Sequence, residues 1–423
     1  MQTLASASLE SASTERPKDQ TITRVYDPSR HEPLAGGTWN PEIATEEIGR
    51  IIGDFQGALR STGNWPTHPL DDEARKPKWA LYSGAAGAVV SLRLLQSAGY
   101  AANDPSELLR HIHASYLESP DYGYETGLQL GEIGILTPAV LANPDDRAIS
   151  YRLAACMKST VGHPAREITS GETGMMHAAL TLFRKTKNEV WKDVYRAGAR
   201  SLWETWTEHP ERSEWLWKSQ IFGSVRCYYG ACHGIAGNAQ VFLRGRDILP
   251  NDWIETIVQR AAHTLSLGAL REGTNVNWSL SAEPDSVGKK RLVQWCHGAA
   301  GVVTALSCAR RLEDTDSKEL DALVDDAAEL VWKAGPLKKG PGLCHGTAGN
   351  GYAFLTLYHF SGEERWLHRA RQFAMHAIQQ SRQAREQFGQ GRYTLWTGDG
   401  GLAVYLHHCL MPELSSFPGL EIF

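Results

Sequence analysis

One short frame, Gly-x-x-Gly, recurs seven times along the chain, opening at Gly84, Gly131, Gly171, Gly234, Gly298, Gly346 and Gly398. Successive copies stand 47, 40, 63, 64, 48 and 52 residues apart. Each runs directly into a mostly apolar stretch rich in Ala and Leu, as in "YSGAAGAVVSL" and "CHGTAGNGYAFL". Between the copies lie charged segments such as "DDAAELVWKAG" and "ERWLHRARQFAMHAIQQSRQ", whose apolar residues recur at helical spacing with one wet face. A fixed period of this kind is the mark of a repeat architecture. The unit reads as a glycine turn, a buried helix and an exposed helix. Glycine supplies positive φ at such a turn and lets another backbone approach closely. The helix it opens would offer free N–H groups and a positive dipole end.

Seven such pairs, with inner helices beginning near one another, close into an all-α, α/α toroid of seven inner and seven outer helices. Strand-like alternation is scarce. The expected organisation is therefore one domain over residues 23–423, although 423 residues would suffice for two or three. Residues 1–22, rich in Ser, Thr and Ala, read as a disordered polar tail.

Hydrophobic residues make up 42% and charged residues 22%, and the formal charge is −5, which leaves no basic footprint for nucleic acid. The opening "MQTLASASLESASTERPKDQ" lacks the apolar core of a secretory leader, and no apolar run is long enough to span a bilayer. A cytoplasmic protein is expected, with peripheral membrane association still open. The seven cysteines, an odd number in a long chain, then read as reduced. The tryptophan-rich "WETWTEHPERSEWLW" reads either as a packed rim between helices or as an aromatic wall on a substrate cavity.

Three of the seven glycine frames are preceded by Cys-His: "ACHGIAG", "WCHGAAG" and "LCHGTAGN". Four lack the pair, so the glycines answer to the fold and the Cys-His residues need another explanation. Zinc takes thiolate and imidazole ligands tetrahedrally, and a catalytic zinc keeps one position open. Adjacent Cys344 and His345 can reach one ion from a turn, and Cys296 holds the matching place in the preceding repeat. These three form a Cys2His site for one catalytic zinc. His233 is then free to act as a general acid or base. Cys232 reads as an incidental small residue, and His297 is left without a role.

At these residues the sequence resembles the lanthionine synthetase C family, most closely its eukaryotic LanC-like branch. The likeness runs from about Arg24 to the C-terminus and rests on "YYGACHGIAG", "LVQWCHGAAGV", "GLCHGTAGNGYAFLTLY" and the tail "FPGLEIF". The resemblance implies the same toroid with zinc held by Cys296, Cys344 and His345, and His233 protonating an enolate. It places Glu167 where the bacterial cyclases use an aspartate, and it marks Cys232 as a departure from a smaller residue. It also implies glutathione as thiol, with Lys339, Arg24 and one of Arg385 and Arg392 as contacts. The implied reaction is thiol addition to dehydroalanine or dehydrobutyrine in a peptide or protein, forming a thioether. Lanthionine-forming ring closure and a non-catalytic zinc- and glutathione-binding adaptor are the alternatives, and a kinase is a possible further partner. A toroidal glycosidase does not fit, because it needs paired catalytic carboxylates and no Cys-His motif.

Overall fold

The computed structural model describes residues 25–286, 290–312 and 315–423. Arg24 and the expected tail at 1–22 lie outside the described residues. Fourteen α-helices follow one another in the described chain. They are α1 (Pro41–Thr62), α2 (Ala85–Ser97), α3 (Leu109–Glu118), α4 (Glu132–Ala142), α5 (Arg147–Thr160), α6 (Glu172–Thr186) and α7 (Glu189–Thr205). The series continues with α8 (Ile235–Arg244), α9 (Asn251–Gly268), α10 (Ala299–Leu306), α11 (Lys318–Ala334), α12 (Thr347–Ser361), α13 (Glu364–Phe388) and α14 (Asp399–Leu410).

Every even-numbered helix starts at one of the seven glycine frames, and these helices pack in an unbroken cycle, α2 on α4 through α14 back on α2. The odd-numbered helices form the outer layer, and α1 closes it by packing on α14. The fold is the α/α toroid. Inner helices are buried almost all round, as in α10, where every residue is buried. Outer helices bury one face only: α7 hides Trp191, Val194, Tyr195, Gly198, Ala199 and Leu202.

Helix starts differ between the layers for a physical reason. Three outer helices use side-chain caps: Asn40 on α1, Asp146 on α5 and Asn188 on α7 each accept from first-turn N–H groups. Inner helices are capped by glycine with no side chain to offer. In five of the seven the first N–H instead donates to a carbonyl seven residues back, as in Ile235 to Tyr228 (3.0 Å) and Thr347 to Gly340 (2.9 Å), and in α10 Ala299 N–H donates to Asn277 Oδ1 (2.9 Å). The expectation of free N–H groups at these starts is thus corrected, because the preceding loop curls round and satisfies them. The φ argument is corrected too. Of the seven opening glycines only Gly298 has positive φ, at 97°; the others are extended. Close approach is what demands glycine here. A Cβ on the fourth residue of the frame, such as Gly237 or Gly349, would overlap the carbonyl oxygen of Ala231 or Leu343, six residues back.

Three short antiparallel hairpins fill the two longest repeats. Strands β1 (Thr207–Glu208), β2 (Trp215–Leu216), β3 (Lys218–Ile221) and β4 (Ser224–Cys227) join α7 to α8, and β5 (Ala269–Glu272) with β6 (Asn275–Trp278) joins α9 to α10. The tryptophan cluster proves to be packing between outer helices. Trp203 of α7 stacks on Trp253 of α9 at 4.3 Å, Trp206 stacks on Trp217 at 4.5 Å, and Arg260 of α9 lies 3.3 Å over Trp215.

Candidate functional site

The seven loops before the inner helices meet at one end of the ring and are stitched to one another through the backbone. The residue two places before each opening glycine takes part: Tyr82, Gln129, Thr169, Cys232, Cys296, Cys344 and Trp396. Tyr82 N–H donates to Gln129 C=O (3.0 Å) and Gln129 N–H to Thr169 C=O (3.0 Å). The next link shifts by one residue, from Ile168 N–H to Cys232 C=O at 3.0 Å. Cys232 donates to Cys296 (3.3 Å), Cys296 to Cys344 (3.1 Å), Cys344 to Trp396 (3.0 Å), and Trp396 back to Tyr82 (3.3 Å). This circle pairs buried peptide groups that would otherwise be stranded, and it sets the three cysteines side by side on the rim.

Two clusters of metal-ligating side chains result. Cys296, Cys344 and His345 bring one ligand atom each within 4.8 Å of one another, and so do Glu167, Cys232 and His233. The first cluster fits the Cys2His set expected from the sequence. The hydrogen bond between its two thiols drives Cys296 well below and Cys344 well above the usual thiol range. Two buried thiols with an imidazole alongside are a donor set that a dication completes.

The second cluster is a hydrogen-bonded pair with a thiol beside it. His233 Nδ1 lies 2.7 Å from Glu167 Oε2, and Glu167 accepts from the backbone N–H groups of Thr169 (2.7 Å), Ser170 (2.6 Å) and Gly171 (3.2 Å). Burial alone would lower the His233 pKa; Cys232 and the Glu167 carboxylate outweigh it and lift it well above the ordinary histidine range. Burial would likewise raise Glu167, and His233 with the backbone donors holds it below the usual carboxylate range. The imidazole is therefore aimed by a fixed carboxylate that favours its charged form.

Around this pair the rim is aromatic. The His297 ring lies 5.2 Å from that of His233, Tyr228 lies 5.9 Å away, and Phe222 meets it edge-on at 5.7 Å. Phe222 sits at the tip of the β3–β4 hairpin, 66% exposed, with φ at 51° beside Gly223 at 73°. A bulky residue with positive φ is uncommon and is held by its surroundings. The hairpin is anchored to the loop before α6, through Gln220 N–H to Pro164 C=O (2.9 Å) and Arg166 to Lys218 C=O (2.8 Å).

The basic residues divide. Lys339 is exposed on the rim; partial burial and the neighbouring Arg30 lower its pKa, while the Cys296–Cys344 pair pulls it up. Arg392 is bound by Asp71 (Nε to Oδ2 2.9 Å) and Arg385 by Asp54 of α1. Sequence reasoning missed Arg30, whose guanidinium reaches Gln294 Oε1 at 3.5 Å while Gln294 Nε2 lies 2.9 Å from Cys296 Sγ. It also missed Tyr82, whose hydroxyl bonds Cys344. Tyr82 becomes visible only when the seven repeats are superposed two residues before the opening glycine, and Arg30, which precedes the first frame, only through the fold.

A model of the family described as lanthionine synthetase C-like protein matches residues 78–422. The chain is 31% identical over 197 residues to glutathione S-transferase LANCL1 of Danio rerio, covering 46% of each protein. It is also 31% identical over 200 residues to LanC-like protein GCL1 of Arabidopsis thaliana, covering 46% of this chain and 43% of that one. The matches thus span less than half the length of these curated relatives. Among solved structures, nisin cyclase superposes with a TM-score of 0.59 at 16% identity, over 86% of this chain and 93% of its own. Among the described residues no helix is long and apolar enough to cross a membrane.

Proposed function

The chain belongs to the lanthionine synthetase C-like family, and on that premise we propose that it forms thioethers, joining glutathione to dehydroalanine or dehydrobutyrine residues of a peptide or protein. The observation that carries this reading is the adjacency of a Cys2His cluster and a charged His–Glu pair on neighbouring rim loops. Cys296, Cys344 and His345 would hold one zinc ion. When bound, zinc supplies the Lewis acidity that keeps a substrate thiol ionised at neutral pH.

The protein's own residues supply the rest. The sulfur forms its new bond to the β-carbon of the dehydroamino acid, and the C=C π pair moves onto the α-carbon and its carbonyl. His233, held charged and oriented by Glu167, delivers its proton to the α-carbon; the proton given up by the thiol restores the balance through solvent. Lys339 and Arg30 place two cations on the rim beside the thiol cluster, where the carboxylates of glutathione would sit. Arg24, implied as a glutathione contact, lies outside the described residues, and Arg385, implied as another, is engaged by Asp54.

Mass spectrometry on a dehydrated peptide, with and without glutathione, tests the proposal. A gain of one glutathione on the peptide is the expected result. Loss of a peptide thiol at unchanged mass would identify ring closure instead, and tight glutathione binding with no adduct would identify an adaptor.

A further inference from the structure

The Glu167–Cys232–His233 cluster is used only in part by the proposed chemistry, because Cys232 takes no step in it. We infer that these residues, with His297, form a second, weaker zinc-type cation site beside the first, and that filling it switches the proton donor off.

The donor chemistry comes first. A thiol, an imidazole and a carboxylate converge within 4.8 Å, all buried, a combination suited to zinc and unlike the all-oxygen shells of magnesium or calcium. Glu167 is fixed as an anion by three backbone donors, so it offers a rigid ligand.

Satisfaction of the polar groups comes second. The Cys232 sulfur bonds the His233 imidazole and otherwise has only long contacts, 3.5 Å to the Thr169 hydroxyl and 3.8 Å to Gln129 Oε1. His297 Nδ1 is buried with no hydrogen-bond partner among the described residues, and its ring lies 5.2 Å from that of His233. A buried imidazole nitrogen without a partner costs free energy that a ligand recovers. The neighbouring cluster of Cys296, Cys344 and His345 uses none of these atoms, although His297 directly follows Cys296 on the same loop.

The weaker affinity has a structural cause. A cation here must share the Glu167 carboxylate with its backbone donors and break into the 2.7 Å bond to His233. Occupancy would therefore require free zinc above the level that fills the first site, and it would remove the imidazolium that protonates the α-carbon. Only this inhibition rests on the proposed reaction; the binding does not.

Equilibrium dialysis of the full chain against buffered zinc, with metal counted by mass spectrometry, tests the binding. The parent protein is expected to take two equivalents, the second at least tenfold weaker. Cys232→Ala should retain only the tight equivalent, whereas Cys344→Ala should retain only the weak one. His297→Gln should weaken the second equivalent alone. Excess zinc should slow adduct formation at least tenfold in the parent and leave Cys232→Ala unaffected. One equivalent in the parent, or two in Cys232→Ala, overturns the site. If no adduct forms at any zinc level, the proposed reaction fails while the stoichiometry still decides the site.

Discussion

At the scale of single residues, the rim separates roles that look alike in sequence. Cys344→Ala is expected to abolish both tightly bound zinc and adduct formation; full activity in a metal-free variant would sink the proposed chemistry. Glu167→Gln tests the positioning of His233. Because Glu167 helps raise the histidine's pKa, its loss should move the alkaline limb of the pH–rate profile toward lower pH as well as reduce the rate. An unshifted limb would leave Glu167 a merely structural group. Phe222 is exposed, strained and edge-on to His233, the arrangement of a wall against which the acceptor packs. Phe222→Ala should raise KM for the dehydrated peptide about tenfold with kcat little changed, and leave glutathione binding intact. The metal cluster and His233 were legible in the sequence because Cys-His repeats within a fixed frame. Arg30, Tyr82 and Phe222 were not, because nothing local distinguishes them from ordinary surface residues.

At the scale of elements, glycine content is legible but its purpose is not. Gly349 and Gly57 are both helical, yet a Cβ at Gly349 would overlap the Leu343 carbonyl, whereas one at Gly57 of α1 meets nothing within 4 Å. Gly349→Ala should cost about 3 kcal/mol or more, and Gly57→Ala should stabilise by about 0.5–1 kcal/mol, both measurable by denaturant melts. The ion network at the start of α4 adds a pH-dependent element. Burial pushes Glu132 up, but His113, Arg152 and Tyr124 bring its pKa down to about 2. A depressed carboxylate stabilises above its unfolded pKa and loses that contribution as pH falls through the folded one. Glu132→Gln should therefore cost about 1–2 kcal/mol near pH 7, discounted for the partly exposed Arg152. The difference in Tm from the parent should vanish between about pH 4.5 and about pH 2.

At the scale of the whole molecule, the C-terminal tail joins the two ends of the ring. Phe417 stacks on Trp295 at 5.1 Å and lies 4.8 Å from Tyr352 and 5.6 Å from Trp396, while Glu421 pairs with Arg244 at 3.4 Å. Trp396 is itself a member of the backbone circle, so the tail braces the rim from behind. Phe417→Ala should cost about 3–5 kcal/mol and alter tryptophan fluorescence. An unchanged Tm would mean that the tail does not brace the rim.

The sequence by itself determined the sevenfold helical repeat, because the glycine frame and the helical spacing of apolar residues are local signals. It also pointed to Cys296, Cys344 and His345 as one candidate ligand set, because the Cys-His pair recurs within the frame, and the fold brings their ligand atoms within 4.8 Å of one another. Only the tertiary structure decided that the first-turn N–H groups are consumed by their own loops, and that glycine serves close approach rather than positive φ. It alone placed Glu167 against His233, 66 residues apart. Such facts depend on how seven loops meet around one axis. Partners far apart along the chain become neighbours through the closure of the ring, and no local pattern of residues encodes that distance.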